Sequence, residues 1–529
     1  MYMAFISASE RSFLAAVSEF AYCNPFLPEH TRIEREALGD EFVEGEPVWS
    51  QPVEDPERPR ANVWRIYEKL KTLAEELRSR LITGKFSPRE ADLLLYEDAI
   101  LHLLYQRYYR QFYEASFGTA SKLTSRWRFY HEFLSDWRRF FEIDGARLFN
   151  SSSATRHDPR HTFACFRQIQ RAFEQIFRDI IGGSMPAARL RASIWQSIFT
   201  HDMRRYRRTL YLRMGEFATL ITGPSGTGKE LAARAIAQSQ YILFDDKKIA
   251  FVDDDAILFF PINISALPSE LVESQLFGHR RGSFTGAIED RKGWLEVCPA
   301  IGSVFLDELG DLDPSIQVKL LRVIETRQFH PVGETTARQF RGKLIAATNC
   351  DLAAGIRSGA FREDLYYRLC SDQIVTPSLA EQLADSPEVL TELIVYMSRR
   401  VAGAEGDQLW GEVALWIAEN LGRDYAWPGN YRELEQCVKN VLIRRDYRPS
   451  RPNSAGHGPA PLASGPPDAM AQVIEDFRGG RVTANELLTR YCTIVYRING
   501  SYEETARRIG LDRRTVKNRI DRELLARLK

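Results

Sequence analysis

EFATLITGPSGTGKELAARAIA, residues 216–237, is the stretch on which the fold of this 529-residue chain turns. Residues 218–222 have the aliphatic and β-branched make-up of a buried strand. Gly223, Pro224, Ser225, Gly226, Thr227 and Gly228 follow as a loop, and Lys229 opens an alanine-rich helix. The glycines let successive backbone N–H groups turn inward around an anion, the helix start adds the positive end of its dipole, and Lys229 adds a full charge. That combination suits the β- and γ-phosphates of a nucleotide. Position 230 is Glu, where Ser or Thr would ordinarily help hold Mg2+. A glycine-rich strand-to-helix turn without ligand is the other use of such a segment, so its company along the chain decides.

That company is acidic and polar. GSVFLDELGDL, residues 302–312, runs an apolar strand (304–306) straight into Asp307 and Glu308. In a parallel sheet both carboxylates come to the edge that presents the glycine loop, where ligands of such sheets bind. Asp307 is expected to hold Mg2+, and Glu308 to orient and polarise the water that attacks the γ-phosphate. A third strand, KLIAATNCDL (343–352), ends in Thr348 and Asn349, groups suited to sensing that phosphate or its water. FREDLYYRL (361–369) carries Arg362 and Arg368. Arginines so far along the chain reach the neighbouring subunit's nucleotide in ring ATPases, or else form ordinary surface ion pairs.

Outward from this centre the texture changes. Strand, glycine loop and helix alternate from about residue 180 to 372, which implies a parallel sheet covered by helices. Residues 379–446 are helical. The Pro/Gly/Ser/Ala tract RPSRPNSAGHGPAPLASGPPD that follows reads as a flexible linker. On the N-terminal side, segments such as VWRIYEKLKTLAEELRSRL (63–81) repeat apolar residues at helical spacing and are dense in Tyr, Phe, Trp and Arg. Aromatic residues at that spacing make a core more often than a stacking surface. The division expected is a mostly helical regulatory region (1–175), an α/β ATPase subdomain (176–375), a helical lid (376–448), a linker (449–468) and a small all-α DNA-binding domain (469–529). No receiver-like strand-tip aspartate marks the first region, so its input is not assigned.

Composition bounds the class. With 44% hydrophobic and 27% charged residues the chain is globular and multidomain. Its net charge of +0 hides an asymmetry: residues 1–60 hold 12 Asp/Glu against 5 Lys/Arg, and residues 507–529 hold 9 Lys/Arg against 3 Asp/Glu. A local nucleic-acid footprint follows. The seven cysteines show no metal or disulfide spacing, and no apolar run approaches the ~20 residues that cross a bilayer, so a cytoplasmic protein with free thiols and no membrane contact is expected. NGSYEETARRIGLDRRTVKNRIDRELLARL (499–528) reads as a helix from about 502 to 509, a turn at Gly510 and a second helix from Arg513. This helix-turn-helix would lay Arg513, Arg514, Thr515, Lys517 and Asn518 near the bases and phosphates of double-stranded DNA.

Taken in order, GPSGTGKE, ESQLFGHRRGSFTGA, GSVFLDELGDL, QVKLLRVIE, AATN, FREDLYYRL and WPGNYREL resemble one family, the AAA+ bacterial enhancer-binding proteins that activate sigma-54 RNA polymerase. The resemblance covers roughly residues 178–446, and the last 50 residues resemble the Fis-type helix-turn-helix that the family carries. It implies an AAA+ ATPase using ATP and Mg2+, in which Lys229 is the phosphate-loop lysine, Asp307 and Glu308 the acidic pair, Thr348 and Asn349 the first sensor and Arg432 the second. Arg362 and Arg368 are the finger candidates, and Glu230 becomes a family mark. Asn263, in PINISAL, matches the asparagine that pairs with the acidic glutamate as a switch, or is simply an amide at a strand end. Gly282, Ser283, Phe284, Thr285, Gly286 and Ala287 match the loop, usually GAFTGA, that touches sigma-54. Here Phe284 is expected as an apolar ring at its tip, or else as a buried hairpin phenylalanine, and Ser283 replaces the usual Ala.

Three departures stand out. After FREDLYYRL the chain reads CSDQIVTPSLAEQLADSPEV (370–389), without the two arginines that the family carries there. Extra sequence precedes the glycine loop (FTHDMRRYRRTLYLRMGEF, 199–217) and PINISAL (FDDKKIAFVDDDAILFF, 244–260), and both read as local elaborations. The function implied is a transcription regulator that forms a homo-oligomeric ring, expected hexameric. It binds upstream enhancer DNA and hydrolyses ATP to remodel sigma-54 RNA polymerase at closed promoter complexes. The rivals are a nucleotide-controlled DNA-binding regulator that does not engage sigma-54, and an ATPase that remodels another protein.

Overall fold

Strand β1 (Thr219–Thr222) feeds the glycine loop from within a parallel sheet with β2 (Phe259–Asn263), β3 (Ser303–Asp307), β4 (Lys343–Thr348) and β5 (Asp372–Val375). The order is β5-β1-β4-β3-β2, with every neighbouring pair parallel. All six residues of β4 are buried, as expected of a strand covered on both faces. In this computed structural model the described residues are 4–45, 60–83, 86, 88–118, 126–143, 146–147, 158–252, 258–284, 287–422, 424–449 and 483–527. The linker expected at 449–468 lies outside them except for residue 449, as does the start of the domain expected from 469. The chain divides into two units, Met1–Ser450 and Arg451–Lys529.

Ahead of the sheet come α1 (Ala8–Tyr22), α2 (Glu29–Leu38), α3 (Ala61–Thr83), α4 (Glu90–Phe117), α5 (Tyr130–Phe141) and α6 (Pro159–Asp179). The sheet is covered by α7 (Met185–Phe199), α8 (Lys229–Gln238), α9 (Ser269–Phe277) and α10 (Pro314–Thr326), and α11 (Glu363–Leu369) leads into β5. A helical subdomain follows: α12 (Leu379–Asp385), α13 (Val389–Ala402), α14 (Gly406–Asn420) and α15 (Asn430–Arg444). Local chemistry starts these helices where they start. Ser7 and Glu10 form a capping box on α1, Ser378 and Glu381 another on α12, and Asp158 and Asp313 cap α6 and α10, each with proline at the first helical position.

The N-terminal helices are built onto the part of the chain that holds the parallel sheet. The boundary expected at residue 175 falls inside α6, which is amphipathic on a scale that local periodicity cannot assign to one domain or the other. One end of α6 puts Phe163 into an aromatic core with Phe112, Tyr130 and Phe133. The other puts Ala172 and Ile176 into the core that holds Ile221 of β1 and Ala232, Ala233 and Ile236 of α8. Both extra segments are the joints. In 244–260, Phe244 and Phe251 pair in a small antiparallel hairpin whose rings lie 4.7 Å and 6.1 Å from Phe163. In 199–217, Arg207 reaches Glu97 of α4 at 2.8 Å, and Arg204 reaches Asp98 at 2.9 Å. His161 of α6 bonds the Tyr241 hydroxyl and the Arg207 carbonyl, each at 2.8 Å, and Gln168 donates to the Ser239 carbonyl just past α8. The sequence reading of these insertions as local elaborations is corrected: they carry the contacts that hold the N-terminal helices to the sheet.

In the C-terminal unit α16 (Ala484–Asn499), α17 (Tyr502–Ile509), α18 (Arg513–Asn518) and α19 (Arg522–Arg527) follow one another. Gly510 takes φ +71° between α17 and α18, and Asp512 caps α18 by accepting from the Thr515 N–H. Ala506 and Val516 are buried. All seven cysteines are free, and among the described residues no helix is long and apolar enough to cross a membrane.

Candidate nucleotide site

The glycine loop leaves β1 at Thr222 and enters α8 at Lys229, with Gly223, Gly226 and Gly228 at φ +146°, +77° and +89°. These angles are the ones side chains resist, and close approach adds a second demand. A Cβ on Gly223 would sit 2.2 Å from Thr376 Oγ1, and one on Gly226 would sit 2.4 Å from the Gly429 carbonyl oxygen. Lys229 is buried, and its ammonium donates to the Gly223 and Pro224 carbonyls at 3.0 and 3.1 Å. Burial lowers its pKa, while Glu308 and Asp307 act in the opposite sense.

Register explains how the carboxylates arrive. β4 lies between β1 and β3, with Thr348 opposite Thr222 and Ala346 opposite Leu306, so the ends of all three strands share one edge of the sheet. Burial raises the pKa of Asp307, and the Glu308 N–H at 3.1 Å and the Lys229 charge pull it back. Glu308 holds φ +56°, a left-handed conformation that turns the chain sharply out of the strand. Thr348 accepts from the Cys350 N–H, and Asn349 is exposed beside it.

The remaining candidate side chains have partners of their own. Asn263 lies opposite Asp307 in the register, but its carboxamide oxygen accepts from Ser265 Oγ and the Ala266 N–H, closing its own turn. No hydrogen bond joins it to Glu308 among the described residues. Glu230 pairs with Arg234 one helical turn on, at 2.7 Å. Arg362 pairs with Asp364 at 2.7 Å and Arg368 with Glu325 at 3.1 Å, both on the exposed surface. Within a single chain, therefore, these arginines do not join the glycine loop.

The loop is instead held from the side of the helical subdomain. Arg432 Nη1 lies 3.4 Å from Ser225 Oγ, and the Tyr431 N–H donates to the Gly226 carbonyl at 3.0 Å. Two further residues that sequence reasoning passed over, Thr376 and Asn430, touch the loop directly. Thr376 Oγ1 is 2.6 Å from Thr227 Oγ1, and Asn430 Nδ2 donates to the Ser225 carbonyl at 2.9 Å. The available signal was Asn430 itself: an asparagine at the first position of a helix tolerates the left-handed φ of +52° that it adopts here. In the stretch that lacks the two family arginines, Asp385 accepts from the Met185 N–H at 2.7 Å, and Ser184 bonds Gln382 at 3.4 Å. Carboxylate and amide acceptors of α12 thus bond the start of α7.

The loop at 282–287 leaves a short antiparallel pair, Gly278–His279 with Arg291–Lys292. Its Gly282 N–H donates to the Ala287 carbonyl, and the Ala287 N–H to that of Phe284. Thr285 and Gly286 lie outside the described residues. Phe284 does not stand free at the tip: it is partly buried, edge-on to His279 with centroids 4.9 Å apart. The expected exposed ring is thus corrected, because an aromatic surface beside a buried imidazole gains more from that contact than from water. Ile288, 83% exposed, is the apolar side chain presented to solvent. Arg280 ties the base of the loop to Asp290 at 2.6 Å and, across to the neighbouring turn, to Glu334 at 2.9 Å.

Residues 200–375, which span the glycine loop, the acidic strand end and this second loop, match the family described as the sigma-54 interaction domain. The chain is similar to a Nif-specific regulatory protein of Enterobacter agglomerans, 39% identical over 230 residues, 43% of this chain and 40% of that one. The hydrogenase transcriptional regulatory protein HoxA of Bradyrhizobium diazoefficiens is 35% identical over 316 residues, 58% of this chain and 59% of HoxA. The transcriptional regulatory protein ZraR of Escherichia coli is 35% identical over 309 residues, 58% of this chain and 64% of ZraR. The chain thus spans 40 to 64% of the length of these relatives. Among solved structures, NtrX of Brucella abortus in complex with ADP overlaps 74% of this chain and 79% of its own, at 22% identity and a TM-score of 0.40.

Proposed function

We propose that this protein is a sigma-54-dependent transcription activator. It hydrolyses ATP in a homo-oligomeric AAA+ ring and passes the resulting movement to sigma-54 RNA polymerase through residues 282–287. The observation that carries the reading is the sheet edge within the matched residues, where the strand register brings Asp307 and Glu308 to the end that presents the glycine loop and Lys229. Backbone N–H groups of residues 223–228 and the start of α8 bind the phosphates, and Lys229 leaves its two loop carbonyls for them. Glu308, turned out of β3, takes the proton from the attacking water and aligns its lone pair with the γ-phosphorus.

The residues fit a divalent ion. Asp307 spends Oδ1 on the Glu308 N–H, and its other oxygen takes no hydrogen bond among the described residues. Mg2+ bound there would neutralise charge on the β- and γ-phosphates. Arg362 and Arg368, whose exposed ion pairs are cheap to break, are the groups offered to a neighbouring subunit's γ-phosphate. Asn263 is the candidate switch partner of Glu308 once its own turn opens, and Asn349 and Arg432 are the sensors.

The C-terminal helices serve as a Fis-type helix-turn-helix on upstream DNA, with α18 in the major groove. Arg514, Lys517 and Asn518 are exposed there; Arg513 pairs at present with Glu503 at 2.9 Å, and Thr515 with Asp512. Phosphate contacts of this kind make the affinity fall steeply with salt.

The test is ATP-dependent open-complex formation on a sigma-54 promoter in vitro. Phe284→Ala should abolish it with ATP hydrolysis largely kept, and Glu308→Ala should abolish both. Normal activity of either variant would sink the mechanism. Retained regulation on DNA with no sigma-54 capture in the presence of an ATP transition-state analogue would favour a regulator that does not engage sigma-54.

A further inference from the structure

The chain enters the helical subdomain at Thr376, directly after β5, and comes back at Asn430, the first residue of α15. Both points grip the glycine loop through side chains. Thr376 is buried; its N–H donates to the Thr222 carbonyl at 2.8 Å, its hydroxyl reaches the same carbonyl at 3.2 Å, and that hydroxyl also bonds Thr227 Oγ1. Thr227 passes the link on to the Pro224 carbonyl at 2.8 Å. On the far side of the loop, Asn430 donates to the Ser225 carbonyl, and its Oδ1 accepts from the Leu379 N–H at 2.8 Å, the first residue of α12. One amide thus joins three pieces of chain: the crest of the glycine loop, the outgoing helix and the returning helix.

We infer that Thr376 and Asn430 form a two-point latch, positioning residues that set the shape of the phosphate loop according to where the helical subdomain stands. The inference rests on the ATPase reading above and concerns regulation of that same site. The physical case is that the loop's carbonyls must point away from the phosphates for its N–H groups to point toward them. Thr376 and Asn430 take two of those outward carbonyls, at Thr222 and Ser225, and the Thr376 hydroxyl supports the Thr227 hydroxyl that takes the one at Pro224. Neither residue is placed to touch the reacting atoms. A shift of the helical subdomain would withdraw both at once, because Asn430 ties the outgoing and returning chains together, and the loop would lose its preset form. Thr376 lies in the segment 370–389, where this chain departs from the family pattern, and Asn430 in WPGNYREL, where it keeps to it.

The test uses the full-length protein and steady-state ATP hydrolysis, with Thr376→Val, Asn430→Gly and Asn430→Asp. Valine keeps the shape of threonine and loses only the hydroxyl. Glycine tolerates φ +52° and loses both amide bonds. Aspartate keeps the acceptor for Leu379 but cannot donate to Ser225. The expected result is a split: KM for ATP rises about threefold or more in Thr376→Val and about tenfold in both Asn430 variants, with kcat within about twofold. Tenfold corresponds to about 1.4 kcal/mol, the net worth of one or two hydrogen bonds. Asn430→Asp behaving like wild type would overturn the latch, since only the structural bond to α12 would then matter. So would an unchanged KM in Thr376→Val, which keeps the test open if an Asn430 variant fails to fold. Glu308→Gln serves as the separate control: wild type without hydrolysis, or with hydrolysis untouched by that change, overturns the ATPase reading and the latch with it.

Discussion

Replacing Phe163 by alanine should loosen the N-terminal helices from the ATPase half, and the size of the effect can be worked from the packing. The ring is fully buried, with centroids 4.7 Å from those of Phe112 and Phe244, 5.0 Å from Tyr130 and 5.2 Å from Phe129 and Phe133. Truncating a phenylalanine in a core costs about 3–5 kcal/mol, and well-placed aromatic pairs add about 0.5–1.5 kcal/mol each beyond area, without full additivity. Five close rings drawn from α4, α5, the segment before α5 and the hairpin argue for the upper end, about 4–5 kcal/mol. That is a factor of about a thousand or more in the equilibrium between docked and opened states at 1.4 kcal/mol per tenfold. Urea unfolding followed by tryptophan fluorescence reads it, because Trp127 lies in the same core, 6.3 Å from Phe163. The midpoint of the transition sensed there should fall by about 1 M or more. Because α6 also carries His161 and Gln168, which hold the chain just beyond α8, ATP hydrolysis should change in the same variant well below its unfolding midpoint. A midpoint within about 0.3 M of wild type would refute the claim that this core joins the two halves.

Three further outcomes are expected. Arg80 meets Glu10 with two parallel bonds of 2.9 and 2.8 Å and holds its carboxyl down to about 2, from 4.5; a depressed carboxylate contributes stability that is complete above 4.5 and lost as pH falls through 2. Arg80→Ala should therefore cost about 1–2 kcal/mol at neutral pH and flatten the acid side of the unfolding profile measured by circular dichroism. Burial pushes the Lys343 ammonium down to about 8 from 10.5; since the folded form loses its proton first, the penalty is present below pH 8 and fades toward 10.5. Wild type should gain stability between pH 7.5 and 10 relative to Lys343→Met in paired denaturant titrations. Gly226→Ala combines φ +77° with a Cβ 2.4 Å from the Gly429 carbonyl oxygen; it should weaken nucleotide binding about tenfold or more in a fluorescent-nucleotide titration, and wild-type affinity would show that the loop and the returning turn are not pressed together.

The two short helices around Gly510, the glycine loop and the acidic strand end could be read along the chain because each is a local pattern. A left-handed glycine, a helix-capping aspartate or a strand running into two carboxylates carries its meaning within about ten residues. α17, its Gly510 turn and α18 fall where that reading put them. The loop at 282–287 was legible as a motif, but its conformation was not. Whether Phe284 faces solvent depends on His279, which β-pairing with Arg291 brings beneath it.

What the sequence by itself determined, then, is the set of chemical parts: a glycine loop with Lys229, the pair Asp307 and Glu308, Arg362 and Arg368 at the two ends of one short segment, a glycine-flanked loop and a basic helical end. Only the tertiary structure decided how those parts are held. It drew α6 across the expected boundary into two cores, made two apparent elaborations into joints, and placed Thr376 and Asn430 on the loop from residues 149 and 205 positions away from their partners Thr227 and Ser225. The reason is physical: a hydrogen bond or a ring contact across such a span leaves no periodicity in either segment, and it exists only once the parallel sheet has brought the ends of β1 and β5 side by side.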